Sequence, residues 1–191
     1  EVDDQGVISL DHLKTLVDQQ ATSLVSVMTA NNENGAIQPI SAIAEVLRGS
    51  DILFHSDAVQ AAGKLPLDFS ALGLMSLSSH KIHGPKGAGA LLVSKTAYLH
   101  PLLHGGGQEN GLRAGTENLA AIVGFGAAAA IALEEREQRA QHCQTLQAQF
   151  EQGLAQWPDV IVFSSQVPRL NNTTQISVPG IDGETLLMLL D

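Results

Sequence analysis

The 191 residues carry 44% hydrophobic and 16% charged side chains, which is enough apolar length for one domain with a buried core and excludes a fibrous or disordered chain. Ten basic against twenty acidic residues give a net charge of −10, which disfavours the broad phosphate footprint of a nucleic-acid binder. The lone Cys143 excludes an internal disulfide framework and a Cys-rich zinc site, and such thiol usage fits a cytoplasmic protein.

In chain order, Ser9 to Gln20 is predicted as a short amphipathic helix, with Leu10, Leu13, Leu16 and Val17 on one face and Ser9 as N-cap. Leu24 to Met28 reads as a buried strand ending in Asn31-Asn32-Glu33-Asn34-Gly35. Pro39 to Arg48 is predicted as a helix, with Pro in its first turn and Gly49 just past its end. Ile52-Leu53-Phe54 is a second strand, followed by His55-Ser56-Asp57, and Leu74 to Leu77 a third, running into Ser78-Ser79-His80-Lys81. A hairpin-like turn through Gly84-Pro85-Lys86-Gly87 leads to a fourth strand, Ala88 to Val93. Short apolar strands alternating with helices imply an α/β fold, a mostly parallel sheet with helices on both faces.

Leu119 to Leu133 holds no charge but falls short of the roughly 18 residues of a membrane span, so no membrane partner is expected. Rich in Ala and Gly, it reads as a close-packed helix buried in a domain or subunit interface. Glu134-Glu135-Arg136-Glu137 carries that helix into solvent, and Cys143, Leu146 and Phe150 keep helical spacing as far as Gln152. Strands at Val160 to Phe163 and Thr174 to Val178 and a helix from Glu184 open a smaller α+β unit. The expected division is 1–133 as the central part of a large domain, 134–152 as a connecting helix and 153–191 as the beginning of a small C-terminal domain. With no initiator Met and an uncapped last helix, the chain is expected to be an internal fragment.

In open parallel sheets ligands bind beyond the carboxyl ends of the strands. Here those ends deliver Asn31 and Asn32, then Asp57 with Gln60, then Ser78, His80 and Lys81. An aldehyde cofactor with an aromatic nitrogen and a phosphate needs a lysine to bind the aldehyde, a carboxylate for the ring nitrogen and hydroxyl or imidazole donors for the phosphate. Taken singly, Lys81 reads as a solvated surface residue, Asp57 as a helix N-cap and Asn31-Asn32 as turn formers; their joint occurrence favours the site. His80 with His83, or His100 with His104, does not read as a metal site, because Gly84, Pro85 and Pro101 break the helix that such spacing requires. His104-Gly105-Gly106-Gly107 is like a lipase oxyanion loop, but no G-x-S-x-G elbow accompanies it. The Gly84 to Gly89 stretch lacks the G-K-[ST] ending of a phosphate loop.

Four segments in order, Asn31 to Gly35, His55 to Gln60, Ser78 to Gly87, and His104 to Glu109 followed by Arg113-Ala114-Gly115-Thr116, resemble the cysteine desulfurases of the class V branch of fold-type-I pyridoxal-phosphate enzymes. The resemblance spans essentially the whole chain. It implies that Lys81 holds the cofactor pyridoxal 5'-phosphate and later shuttles protons, that Asp57 partners the pyridine nitrogen, and that Gln60 and Asn32 flank the ring hydroxyl. It likewise implies that Ser78 and His80 contact the phosphate and that Thr116 reaches the phosphate of the other subunit's cofactor in a homodimer with shared active sites. His80 and Lys81 are the catalytic candidates.

The implied activity is a transferase reaction, in which sulfur passes from L-cysteine to an enzyme persulfide and L-alanine leaves. A sulfur-acceptor protein then draws on it for iron–sulfur cluster or thio-cofactor synthesis. In that family a phosphate-binding turn and a ring-stacking histidine precede the stretch matched here, and the nucleophilic cysteine and a substrate-carboxylate arginine follow it, so the fragment alone is expected to be inactive. Cys143, in a polar helix without an electropositive strand-end setting, does not stand in for that thiol. Ser79 occupies a position where glycine is common. A selenocysteine lyase, another class V enzyme or a non-catalytic truncated scaffold are the alternatives; the His104 to Gln108 stretch favours the desulfurase.

Overall fold

The computed structural model describes residues 1–190. Four strands, β1 (Leu24–Met28), β2 (Leu53–Asp57), β3 (Leu74–Ser78) and β4 (Gly89–Val93), form one sheet in that order. β1, β2 and β3 run parallel and β4 returns antiparallel to β3, as the glycine-rich turn predicts. Two short antiparallel strands, β5 (Ile161–Val162) and β6 (Ile176–Ser177), make a separate ribbon. The helices are α1 (Leu10–Gln19), α2 (Ile40–Val46), α3 (Leu119–Glu134), α4 (Arg136–Leu154) and α5 (Gly183–Leu190). Among the described residues no helix is long and apolar enough to cross a membrane.

Side chains alternate across each strand, so one face collects Val25, Phe54 and Met75 and buries them against Leu13 of α1 and Ile43 and Leu47 at α2. Ser9 caps α1 by accepting the His12 N–H at 3.2 Å, as the sequence suggests. The mostly parallel sheet with helices is as expected, and α1 and α2 cover this face. On the other, Leu24, Met28, Leu91 and Val93 remain exposed.

The Ala/Gly-rich α3 packs through a stripe of small residues. A Cβ on Gly124 would lie 2.5 Å from Pro85 Cγ, and one on Gly84 would lie 3.0 Å from the Ala128 Cβ. Ala132 joins Ala62 and Ile82 in a small cluster. This stripe is what lets the turn after β3 seat closely on α3. The remainder of α3 is not buried in this chain: Leu119, Val123 and Leu133 are exposed.

The single long helix expected through Gln152 is two helices, broken at Glu135, whose φ of −93° and ψ of 0° leave the helical region. No Pro or Gly causes the break. α4 is drawn instead towards residues 169–174: Asn171 donates to the Ala140 carbonyl, Gln147 to those of Leu170 and Thr173, and Arg169 pairs with Glu151 at 2.8 Å. The same segment grips the loop after β1, through Ile37 N–H to the Pro168 carbonyl and Leu170 N–H to the Gly35 carbonyl, both at 2.9 Å.

Candidate active site

The ladder register sets Met28, Asp57 and Ser76 side by side, so the ends of β1, β2 and β3 open onto one edge of the sheet. After β1, Asn31 is a turn former: its Oδ1 accepts the N–H groups of Glu33 and Asn34 at 2.8 and 3.1 Å. Asn32 beside it is exposed, and its amide makes no hydrogen bond among the described residues. The ordinary reading holds for the first asparagine and leaves the second available.

Asp57 closes β2, not the loop beyond it, because His55, Ser56 and Asp57 continue the pairing with Ser26, Val27 and Met28. Its Oδ1 accepts the Val59 N–H at 2.9 Å and its carbonyl accepts the Thr29 N–H at 2.8 Å. Oδ2 has no hydrogen-bond partner among the described residues, so a half-buried carboxylate with a fixed backbone keeps one free oxygen. Gln60 follows, half-buried, and its carbonyl accepts from Lys64 Nζ at 2.8 Å.

Ser78 closes β3, and its hydroxyl shares a hydrogen bond with His80 Nδ1 at 2.9 Å. The chain then makes one 3-10 turn, Ser79–Ile82, ended by His83 in a left-handed conformation (φ 67°). Within that turn Ser79 and Ile82 are buried, while His80 and Lys81 between them are exposed. Lys81 makes no ion pair among the described residues. Thr116 is not part of this cluster within the chain: it stands exposed on the loop before α3, bonded to none of the strand-end residues.

Two residues that the sequence reading did not assign belong to the setting. Lys64 has its pKa lowered from the ordinary 10.5, first by burial and second by the nearby charge of Lys81, while Cys143 acts in the opposite direction. His55, two residues before Asp57, bonds to Ser26 and Ser76; its place in the H-S-D triplet was visible, its partners were not. A cleft of about 690 Å³ lined by Arg48, Asp68, Gly73 and Thr96 lies at the amino ends of the strands, away from these groups.

The whole chain, residues 1–191, matches the family described as Aminotransferase class-V. A cysteine desulfurase of Sinorhizobium fredii is 42% identical over 193 residues, covering 100% of this chain and 50% of that protein. The cysteine desulfurase NifS of Azotobacter vinelandii is also 42% identical, over 100% of this chain and 48% of that protein. Among solved structures, a NifS-like protein from Rickettsia africae superposes with a TM-score of 0.95 at 38% identity, over 98% of this chain and 53% of that one. The chain thus spans about half the length of the curated relatives it matches.

Proposed function

The chain belongs to the aminotransferase class-V family, and from that membership we propose that the complete protein is a pyridoxal-phosphate-dependent cysteine desulfurase. It takes sulfur from L-cysteine onto an enzyme thiol, releases L-alanine, and passes the sulfur to an acceptor protein for iron–sulfur cluster or thio-cofactor synthesis. The observation that carries this reading is the delivery, by the neighbouring strands β2 and β3, of a carboxylate with one free oxygen, a joined hydroxyl–imidazole pair and an unpaired lysine.

That donor set fits pyridoxal phosphate. An anionic oxygen suits a protonated ring nitrogen, a primary amine suits an aldehyde, and Ser78 with His80 offers donors to a phosphate. When bound, the cofactor supplies an electron-withdrawing ring that accepts the electron pair released at the substrate's α-carbon.

The chain's own residues do the rest. Asp57 Oδ2 holds the proton on the ring nitrogen. Lys81 Nζ would hold the group at its aldehyde and would carry a proton on that same nitrogen. Ser78 and His80 bind the phosphate, and Asn32 and Gln60 orient the ring from its hydroxyl side. The exposed Thr116 contacts the phosphate held by a second copy, which makes the protein a homodimer with shared sites. Cys143 is not the sulfur-receiving thiol, because mid-helix on α4 it cannot travel to a substrate at the strand ends. Residues 1–133, the connecting 134–152 and 153–191 serve as cofactor platform, link and small domain, and the protein works in the cytoplasm.

The test is L-cysteine turnover by the complete protein and its Lys81→Ala variant. The native protein should form alanine and show the visible absorbance of bound cofactor, and the variant should lose both. An unchanged spectrum in the variant would sink the assignment.

A further inference from the structure

On the sheet face that carries Asp57, three strands share a polar row. Ser26 of β1 bonds through its hydroxyl to His55 Nδ1 at 2.8 Å, and His55 Nε2 bonds to the hydroxyl of Ser76 on β3 at 3.2 Å. The register makes this more than a cross-strand contact. Ser26 lies directly opposite His55, whereas the direct partner of His55 on β3 is Leu74. The imidazole therefore leans one pair towards the carboxyl end to meet Ser76, the residue beside Asp57. The Ser76 carbonyl in turn accepts the Ala58 N–H at 3.0 Å. Ser76 is thus held by its side chain to the residue two before Asp57 and by its backbone to the residue just after it.

The rest of this face argues that the row is not general sheet packing. Its other members are the apolar Leu24, Met28, Leu53, Leu74, Leu91 and Val93, with Ser78 and Gly89 at the strand end, where Ser78 bonds to His80 and not to the row. Apart from Asp57, His55 is the one titratable residue that these four strands place on it. A hydroxyl can donate or accept, so the row satisfies both ring nitrogens in either tautomer and fixes the orientation of the ring.

Resting on the functional reading above, we propose that His55 is a positioning residue for Asp57. The Ser26–His55–Ser76 row holds the ends of β1, β2 and β3 in one register, and so fixes the line along which the free Asp57 oxygen meets a protonated aromatic nitrogen. His55 touches neither substrate nor cofactor in this role.

The test uses the complete protein loaded with pyridoxal phosphate labelled with nitrogen-15 in the ring, whose resonance reports whether that nitrogen is protonated. In His55→Leu the pH at which the ring nitrogen loses its proton should fall by about half a unit or more, and cofactor affinity should drop about tenfold, the equivalent of one good hydrogen bond. His55→Gln, which can still donate and accept, should restore most of both. Should His55→Leu not fold, the double variant Ser26→Ala with Ser76→Ala removes the row with the imidazole in place and should give the same two shifts. Variants that melt earlier while resonance and affinity stay at native values would reduce His55 to a structural tie and overturn the proposal. A native protein that binds no cofactor would overturn the functional reading, and this inference with it.

Discussion

The two faces of the four-stranded sheet are built from the same alternating strands and answer to different rules. On one, Val25, Phe54 and Met75 are sealed by α1 and α2, and what matters is volume. On the other, Ser26, His55, Asp57 and Ser76 are held by directed bonds, and what matters is where each donor and acceptor points. Even the exception obeys the division: Ser56 is fully buried on the packed face, and its hydroxyl is satisfied by Thr29 at 2.8 Å. A residue's parity along the strand therefore forecasts whether its loss will damage stability or chemistry.

Phe54→Ala breaks the packed face. The ring is 4% exposed, so its removal should cost about 3–5 kcal/mol, read as a lower denaturant midpoint, with cofactor bound per folded molecule unchanged. Asp57→Asn is the converse. Opposite charges at hydrogen-bonding range and an effective dielectric near 20 are worth roughly 4 kcal/mol, so the rate of alanine formation should fall about a thousandfold while the melting temperature barely moves. If both variants lost stability and rate in equal measure, the division between the faces would be wrong.

Parity was legible in the sequence; pairing was not. The bounds of β1 and the Ser9 cap follow from local residues alone, as do the strand-end positions of Asp57, Ser78 and Lys81. β2 was read three residues short because His55-Ser56-Asp57 is polar, and only its partnership with Ser26 to Met28 reveals that the strand continues. The break at Glu135 likewise has no local signal, since the bonds that redirect α4 come from Arg169 and Asn171. The proximity of Lys64 to Lys81 and the leaning of His55 towards Ser76 depend on segments distant in sequence, which no periodicity reports.

Lys64 sharpens the comparison at the edge between the faces. Its folded pKa lies below 10.5, first because of burial and then because of Lys81. Between that folded value and 10.5 the unfolded chain binds more protons than the folded one, so the contribution of Lys64 to stability rises with pH across this window. Denaturant unfolding of the native protein and of Lys64→Gln, followed from pH 7 to 10.5, should show the native protein gaining on the variant as pH rises. Parallel curves would mean that the lysine is fully solvated.

The smallest expected effect falls on the turn where the faces meet. Ser78 and His80 point to the open side, while Ser79 between them is fully buried and its hydroxyl has no partner. An unsatisfied buried hydroxyl costs about 1–3 kcal/mol, and Ser79 has no left-handed backbone that would demand glycine. Ser79→Ala should therefore stabilise the protein by about 1 kcal/mol. Ser79→Gly should come out near neutral, because the gain is offset by about 0.5–1 kcal/mol of unfolded-chain entropy. Neither should alter turnover, since Lys81 keeps its place through Ile82, Gly84 and α3. A destabilised Ser79→Ala would show that the hydroxyl is bonded through buried water, and would move Ser79 from the side of the molecule ruled by volume to the side ruled by direction.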